Sequence, residues 1–526
     1  MRAVNPIREI TIKGSIPRLI RSRTAPIYLA IIVSASQAAV AINHGGPVAV
    51  PDVSVYLSFS QWLYGGLQPT EPAFFPGYGL LLAPVGWMSG SDLHTAALLL
   101  NSAAAGACVI LAARLARMLG ATPRVEMMAA VLTAVHPSLS SSSRIGWPET
   151  LLSLSVLAIC LAVQKKRWDW VGMVGGLSLA LHPRLIVVVI AVILVALIHK
   201  QMVTLAKGLL PGLLATVIML QWTDSWPTDR LSAAQSIGDG PSPLLTAAGQ
   251  WMSLSAGTAC LASIGFVVAV RQIRRSRAPA LETFLVLSVG AMLVLGGWVL
   301  AGSERIDTLL YGRYIDPWSI PLAVLGLTAL SRRRVPFKLV AGTAASVVVA
   351  FLVAVSGATA VVAPPRRIMT LSLGSVWSTV DKSLTPVLVV AAIVSLVAIA
   401  TMMRGPWAAV VLLIILSLTS TVSNHRHLNE VGKIADGQVT VAAFLPEEIN
   451  CLSHDDSAKS YAIWLYRLQL PEMRHNRVNL AANETPCGGY VIADAKALTT
   501  CAEARLLAEE PRGSWGLWKY PTQGCP

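Results

Sequence analysis

The sequence predicts an α-helical polytopic membrane protein with a small C-terminal α/β domain. Three observations predict it. Hydrophobic residues make up 54% of the chain and charged residues only 13%, against about 25% charged in ordinary soluble domains, and the mean hydropathy is +0.62. The 41 Lys and Arg gather in short runs at the ends of apolar segments, the pattern that marks cytoplasmic loops. Four of the seven cysteines fall in the last, polar stretch, as in a small domain facing an oxidising compartment. The net charge of +14 thus reads as topology, and no nucleic-acid partner is expected.

Residues 1–24 form a basic tail without a cleavage-site pattern, expected to be cytoplasmic. A spanning helix needs roughly 20 mostly apolar residues. Thirteen segments approach this: Ala25–Ile42, His94–Ala113, Glu126–His136, Glu149–Val163, Trp170–Leu181, Leu185–Ile198, Leu205–Trp222, Trp251–Val270, Thr283–Ala301, Pro317–Leu330, Leu339–Val362, Pro386–Met403 and Ala408–Val422. An odd number places the N-terminus in the cytoplasm and the C-terminal domain outside a plasma (inner) membrane. The membrane domain is expected over residues 25–423, with a first outer loop at 44–93. Within that loop, the stretch from Phe74 to Met88 is apolar but short and broken by proline and glycine, so it reads as a helix at the outer interface.

Residues 424–526 form the polar domain. VTVAAFLP and YVIADA read as strands and SYAIWLYRLQL as an amphipathic helix, a mixture that suggests a small α/β fold. Cys451, Cys487, Cys501 and Cys525 suit two disulfides, with three pairings open. A zinc site would be the alternative, but no C-x2-C pair is present, so no metal is expected there.

Ionisable groups are costly inside a bilayer, and here they collect at the outer ends of the segments. Asp52 and Glu71 lie in the first outer loop, Arg144 and Glu149 at the next turn, His182 and Arg184 at an HPR corner, and Arg305 and Arg313 before the tenth segment. A transporter would place such groups nearer the midplane, on interrupted helices. Moving a sugar from a lipid phosphate to a hydroxyl needs a base for the hydroxyl, which Asp52 supplies. It also needs guanidinium groups for the departing phosphate. Arg184 and Arg313 are the first candidates, with Arg144, Arg305 and His182 beside them. Glu71, Glu149, Tyr56, Trp62 and Tyr311 are candidate contacts to the sugars. No cofactor is called for, although a divalent cation is compatible with the chemistry.

PDVSVYLSFSQWLYGG followed by FFPGYGLLLAPVGWM, then GWPETLL, LALHPRLIVVV and YGRYIDPWSIPL, resemble in order the outer segments of the GT-C superfamily of polytopic glycosyltransferases. The resemblance covers roughly the first 330 residues. It implies a GT-C-like membrane domain, a polyprenyl-phosphate-linked sugar donor, an inverting mechanism and an extracytoplasmic active site. The Ala/Val/Leu-rich basic chain with an outer C-terminal domain is similar to actinobacterial cell-envelope transferases. That implies a decaprenyl-phosphate arabinofuranose or mannose donor and a cell-envelope glycan or glycolipid acceptor. One departure is that Asp52 has no adjacent acid, which leaves Glu71, Asp92 or Glu149 as its partner, or Asp52 acting alone.

Each residue also has a plainer reading. Asp52 would suit the N-cap of a helix starting at Val53, Glu71 a solvated turn, and Glu149 a helix-dipole contact. Arg184 and Arg313 would suit interface anchors, His182 a turn, and Tyr56 and Trp62 an aromatic belt. At the level of the whole chain, the rivals are a transporter or flippase of a lipid-linked precursor and a non-catalytic scaffold for envelope assembly.

Overall fold

The computed structural model describes the chain except residues 1–23, 66–75, 224–241, 276–277, 302–305, 333–335, 359–366, 381–382, 436–438, 459–461, 483, 500, 502, 512 and 522–526. Glu71, Arg305 and Cys525 therefore lie outside the described residues.

Helix α1 (Ala25–Ile42) opens the membrane domain. After a short break comes α2 (Pro51–Tyr64), buried from Val53 to Gln61, so the central polar stretch is a core helix. The short α3 (Gly77–Leu82) runs into a 3-10 turn, Ala83–Val85, as the proline and glycine content predicts. The 29-residue α4 (Gly90–Met118) is capped by Ser89 and packs against α1, α5 (Pro123–Ala134) and α7 (Glu149–Gln164). Between the last two lies α6 (Pro137–Ser142). Then come α8 (Trp168–Ser178), α9 (Ile186–Ile198) and α10 (Met202–Thr223).

Helices α8 and α10 pack closely through glycine. A Cβ on Gly208 would lie 1.8 Å from the Asp169 carbonyl oxygen, and one on Gly172 would lie 2.3 Å from that of Leu205. Without a water-driven force between lipid-embedded helices, such close backbone contact supplies the packing energy.

The segment expected at Trp251–Val270 is two helices, α11 (Pro243–Gly257) and α12 (Leu261–Arg275), set at 113° to one another. Ala259 and Cys260 make the corner at φ of 43° and 61°, backbone that non-glycine residues rarely adopt, so hydropathy alone could not reveal the break. The remaining helices are α13 (Ala280–Leu300), α14 (Asp316–Arg332), α15 (Phe337–Ser356), the short α16 (Gly374–Thr379), α17 (Leu384–Arg404) and α18 (Pro406–Ala435). Over its described residues, each of the thirteen expected segments overlaps helix. Among the described residues, however, only seven helices are long and apolar enough to cross a membrane, or eight with the bent pair counted as one. The expected count of thirteen spans is not reached by that measure, because several segments make helices of 17 residues or fewer.

The C-terminal strands form one sheet in the order β2-β1-β3-β5-β4, from Cys451–Asp455 (β1), Arg474–Val478 (β2), Tyr490–Asp494 (β3), Arg505–Glu509 (β4) and Trp515–Lys519 (β5). Strand β1 is parallel to β2 and β3, while β5 is antiparallel to β3 and β4. Helix α19 (Ala462–Gln469) connects β1 to β2. YVIADA supplies β3 and SYAIWLYRLQL supplies α19, as expected. VTVAAFLP does not make a strand; it forms a 3-10 turn, Thr440–Phe444. Cys451 and Cys487 form a disulfide that ties β1 to the approach to β3, and Cys501 is disulfide-bonded as well.

In this sheet, His454 on β1 and His475 on β2 are buried and hydrogen-bonded to each other at 3.1 Å. His475 Nε2 also lies 3.0 Å from the Leu470 carbonyl oxygen. Burial lowers both imidazoles, His475 to about 4 and His454 well below its ordinary value. The folded pair resists protons that the unfolded chain takes up near 6.5. Stability therefore stays full above about pH 6.5 and declines as pH falls toward about 4. The expected outcome is that the near-ultraviolet signal of Trp515 and Trp518 melts at progressively lower temperature across that window. A His454→Gln, His475→Gln variant should flatten this dependence; an equal slope in that variant would remove the pair as its source.

Candidate active site

Four charged side chains from four distant parts of the chain meet in alternation: Asp52, Arg313, Glu149 and Arg184. Arg313 pairs with both Asp52 and Glu149, and Arg184 pairs with the other oxygen of Glu149. The side chains of Arg184, Arg313 and Glu149 are 3%, 5% and 9% exposed, and that of Asp52 is 20% exposed. Two acids and two bases balance, which makes burial tolerable.

Local sequence explains each position. Pro51 is the first residue of α2 and Asp52 sits in its first turn, where proline is preorganised and a carboxylate favours the helix dipole. The N-cap position belongs to Val50, not Asp52, and no side chain caps the helix. The carboxylate faces Arg313 instead, which corrects the capping reading. Pro148 precedes Glu149 at the start of α7. His182, in extended backbone, precedes the 3-10 turn Pro183–Leu185 that holds Arg184. Arg313 lies in the 3-10 turn Gly312–Tyr314. Glu149, Arg184 and Arg313, the other three members of the cluster, thus each follow a proline or glycine at a chain reversal or helix start.

Aromatic rings and a thioether complete the setting. The Arg313 guanidinium lies 4.1 Å above the Trp147 ring, and that of Arg184 lies 5.3 Å from the Tyr314 ring, distances at which a cation is attracted by the ring. Tyr311 donates to the Met369 sulfur at 3.2 Å, and Arg313 reaches the same sulfur at 3.8 Å. Burial pulls Arg313 down, but the Asp52 carboxylate together with Tyr311 and Tyr56 holds the guanidinium above its ordinary value. Arg184 Nε and Nη1 and Arg313 Nη2 are buried donors without a hydrogen-bond partner among the described residues. Buried unpaired donors are rare and costly, and these suit an anion.

The other sequence candidates separate. His182 accepts the Arg184 backbone N–H at 3.1 Å and so shapes the turn. Tyr56 is buried and donates to the Leu181 carbonyl oxygen at 3.4 Å, pinning the HPR corner against α2. Arg144 donates to the Val40 carbonyl oxygen at 3.0 Å and to Asn429, tying the end of α1 to α18. Trp62 lies at the far end of α2, about 15 Å along the helix from Asp52, where its ring is 5.2 Å from Phe59 and 6.5 Å from Trp222.

Sequence reading left out Trp147, Met369, Ser138 and Asp316 as site residues. Asp316 is buried and accepts from Ser138, and both line a small cavity with Glu149, Arg313 and Trp147. The GRYIDP run carried a signal for Asp316, since three residues past Arg313 brings it back to the same end of α14. Met369 carried none. Among the described residues, no group of three His, Cys, Asp or Glu side chains could hold a metal ion.

The C-terminal domain fixes the helix that carries Asp52. Ser54 donates to the Trp464 carbonyl oxygen at 2.8 Å, and Gln61 to that of Leu468 at 3.4 Å. Ile463, Trp464 and Leu468 of α19 belong to the same apolar core as α2 and α4.

Because Glu149 bridges two buried guanidinium groups, Glu149→Gln should destabilise the protein by about 3–5 kcal/mol. The check is a lower unfolding temperature in detergent, largely restored by Glu149→Asp. An unchanged unfolding temperature for Glu149→Gln would show that the ion chain does not hold the fold together.

No protein-family model matches the chain, and no curated protein matches it significantly. Among solved structures it is similar to ArnT from Cupriavidus metallidurans bound to undecaprenyl phosphate, with a TM-score of 0.58 at 12% identity, covering 96% of this chain and 100% of that one. The apo state of the same protein gives a TM-score of 0.55 at 14% identity, with 96% and 99% covered. The likeness spans nearly the whole of both chains, so this multi-pass membrane protein has an ArnT-like fold, with a small C-terminal sheet domain.

Proposed function

We propose that the protein is a membrane glycosyltransferase that moves a sugar from a polyprenyl-phosphate donor to a cell-envelope glycan or glycolipid. The observation that carries this reading is the buried Asp52–Arg313–Glu149–Arg184 chain with its spare guanidinium donors. Support also comes from a fold shared with a protein solved with undecaprenyl phosphate bound.

In this reading, Asp52, the most exposed of the four, accepts the proton of the acceptor hydroxyl. The freed oxygen forms a bond to the anomeric carbon as the bond from that carbon to the phosphate oxygen breaks. The phosphate leaves with the electron pair, and the spare N–H groups of Arg184 and Arg313 meet its growing charge. Arg313 touches the base and stands ready for the leaving group, so one guanidinium couples the two ends of the reaction. Glu149 holds both arginines in place. Attack from the face opposite the phosphate inverts the anomeric centre.

Arabinofuranose and mannose are the proposed donor sugars, by resemblance to actinobacterial transferases. The site faces outward from the plasma membrane, with the N-terminus in the cytoplasm. Residues 424–526 contribute to holding the acceptor.

The experiment incubates purified protein in nanodiscs with decaprenyl-phosphate arabinose or mannose and a short glycan acceptor. Mass spectrometry should find an acceptor heavier by one pentose or one hexose. Asp52→Asn should lower the rate by about 10²–10⁴-fold while the protein still binds lipid phosphate. Full transfer by a folded Asp52→Asn would defeat the base assignment. Lipid-phosphate binding without product from either donor would favour the transporter reading.

A further inference from the structure

A second cavity lies beside the charged centre, between α18 and the segment from Arg367 to Thr379. It encloses about 470 Å³. Leu418, Val422, Arg426 and Glu430 line it at intervals of four, so they form one stripe along α18. The stripe changes character along its length. Leu418 and Val422 are 50% and 51% exposed on a helix long and apolar enough to cross a membrane. One turn further the stripe becomes charged at Arg426, about 6 Å along the axis. Arg367 faces it from the other wall.

Behind the cavity lining, α18 is docked firmly on the neighbouring segment. Asn424 donates to the Leu371 carbonyl oxygen at 2.8 Å and to Ser141 at 2.8 Å, and the Ser375 backbone N–H donates to Ser420 at 3.0 Å. A Cβ on Gly374 would lie 2.3 Å from the Asn424 side-chain oxygen, so glycine permits the close docking. Glu430 subtracts one charge from the two arginines, leaving the mouth net positive before His427 is counted.

An apolar track that runs into a pair of guanidinium groups has the chemistry of a phosphate carried on an acyl chain. We propose that this groove binds an anionic phospholipid, its phosphate between Arg367 and Arg426 and its chain along Leu418 and Val422. The site is separate from the Arg184–Arg313 cluster and does not depend on the transfer reaction. The same short segment carries Arg367 at the groove and Met369 against Arg313, so the lipid would sit two residues from the charged centre.

The test uses the full chain in detergent with phosphatidylglycerol or phosphatidylcholine as probes, bound lipid being counted by native mass spectrometry. Wild type should half-saturate with phosphatidylglycerol at a concentration at least tenfold lower than with phosphatidylcholine. Arg367→Gln with Arg426→Gln should abolish that preference. The exposed Arg426→Gln alone, which leaves the docking of α18 intact, should weaken it severalfold. Val422→Trp, which fills the apolar half and keeps both arginines, should also weaken phosphatidylglycerol binding. An unchanged preference in the arginine variants overturns the proposal. So does displacement of the lipid by millimolar inorganic phosphate, which would assign the groove to a free anion, or a Val422→Trp variant that binds as wild type.

Discussion

Everything at the centre of this protein depends on alternating charge in a place with little water. Each carboxylate or guanidinium, buried alone, would cost several kcal/mol. Strung as acid, base, acid, base, the four neutralise one another, and aromatic faces take up part of the remaining cation field. The surrounding helices can then close around them. The arrangement also fixes topology. Residues 52, 149, 184 and 313 must come to one point, so α2, α7, the HPR corner and the turn before α14 have no freedom to slide independently.

The ion chain is deliberately incomplete as a hydrogen-bonding system. Its carboxylates are engaged on the arginines, yet three guanidinium nitrogens keep unspent donors. A purely structural salt-bridge network gains by satisfying every group. Here buried donors on Arg184 and Arg313 stay unpaired among the described residues, in the same cluster as the most exposed of its acids, Asp52. The groove along α18 shares a wall with this centre through the segment that carries Arg367 and Met369, so lipid contact and charge placement meet on one short piece of chain.

Much of this was legible in the sequence because hydropathy and proline placement are local signals. Helix α1 was expected over Ala25–Ile42 and lies there, and the outer-end clustering of Asp52, Glu149, Arg184 and Arg313 singled out the residues that meet. The corner at Ala259 and Cys260 was not legible, because its left-handed backbone rests on packing rather than on glycine. Nor was the strand reading of VTVAAFLP sound: β-propensity is decided by context, and Thr440–Phe444 folds as a 3-10 turn. Trp147 and Met369 were missed because a ring or a thioether under an arginine leaves no spacing to read. The burial of α2 was missed for a related reason, since two of its polar residues, Ser54 and Gln61, donate to backbone carbonyls some 400 positions away in sequence.

That last feature bears on how the molecule is made. The carbonyl groups that hold Ser54 and Gln61 belong to α19, which leaves the ribosome after every apolar segment of the chain. A nascent protein can thread all its helices into the bilayer and still have the Asp52 helix unclamped. The helix that carries Asp52 gains these two contacts only when residues 462–469 fold back onto it.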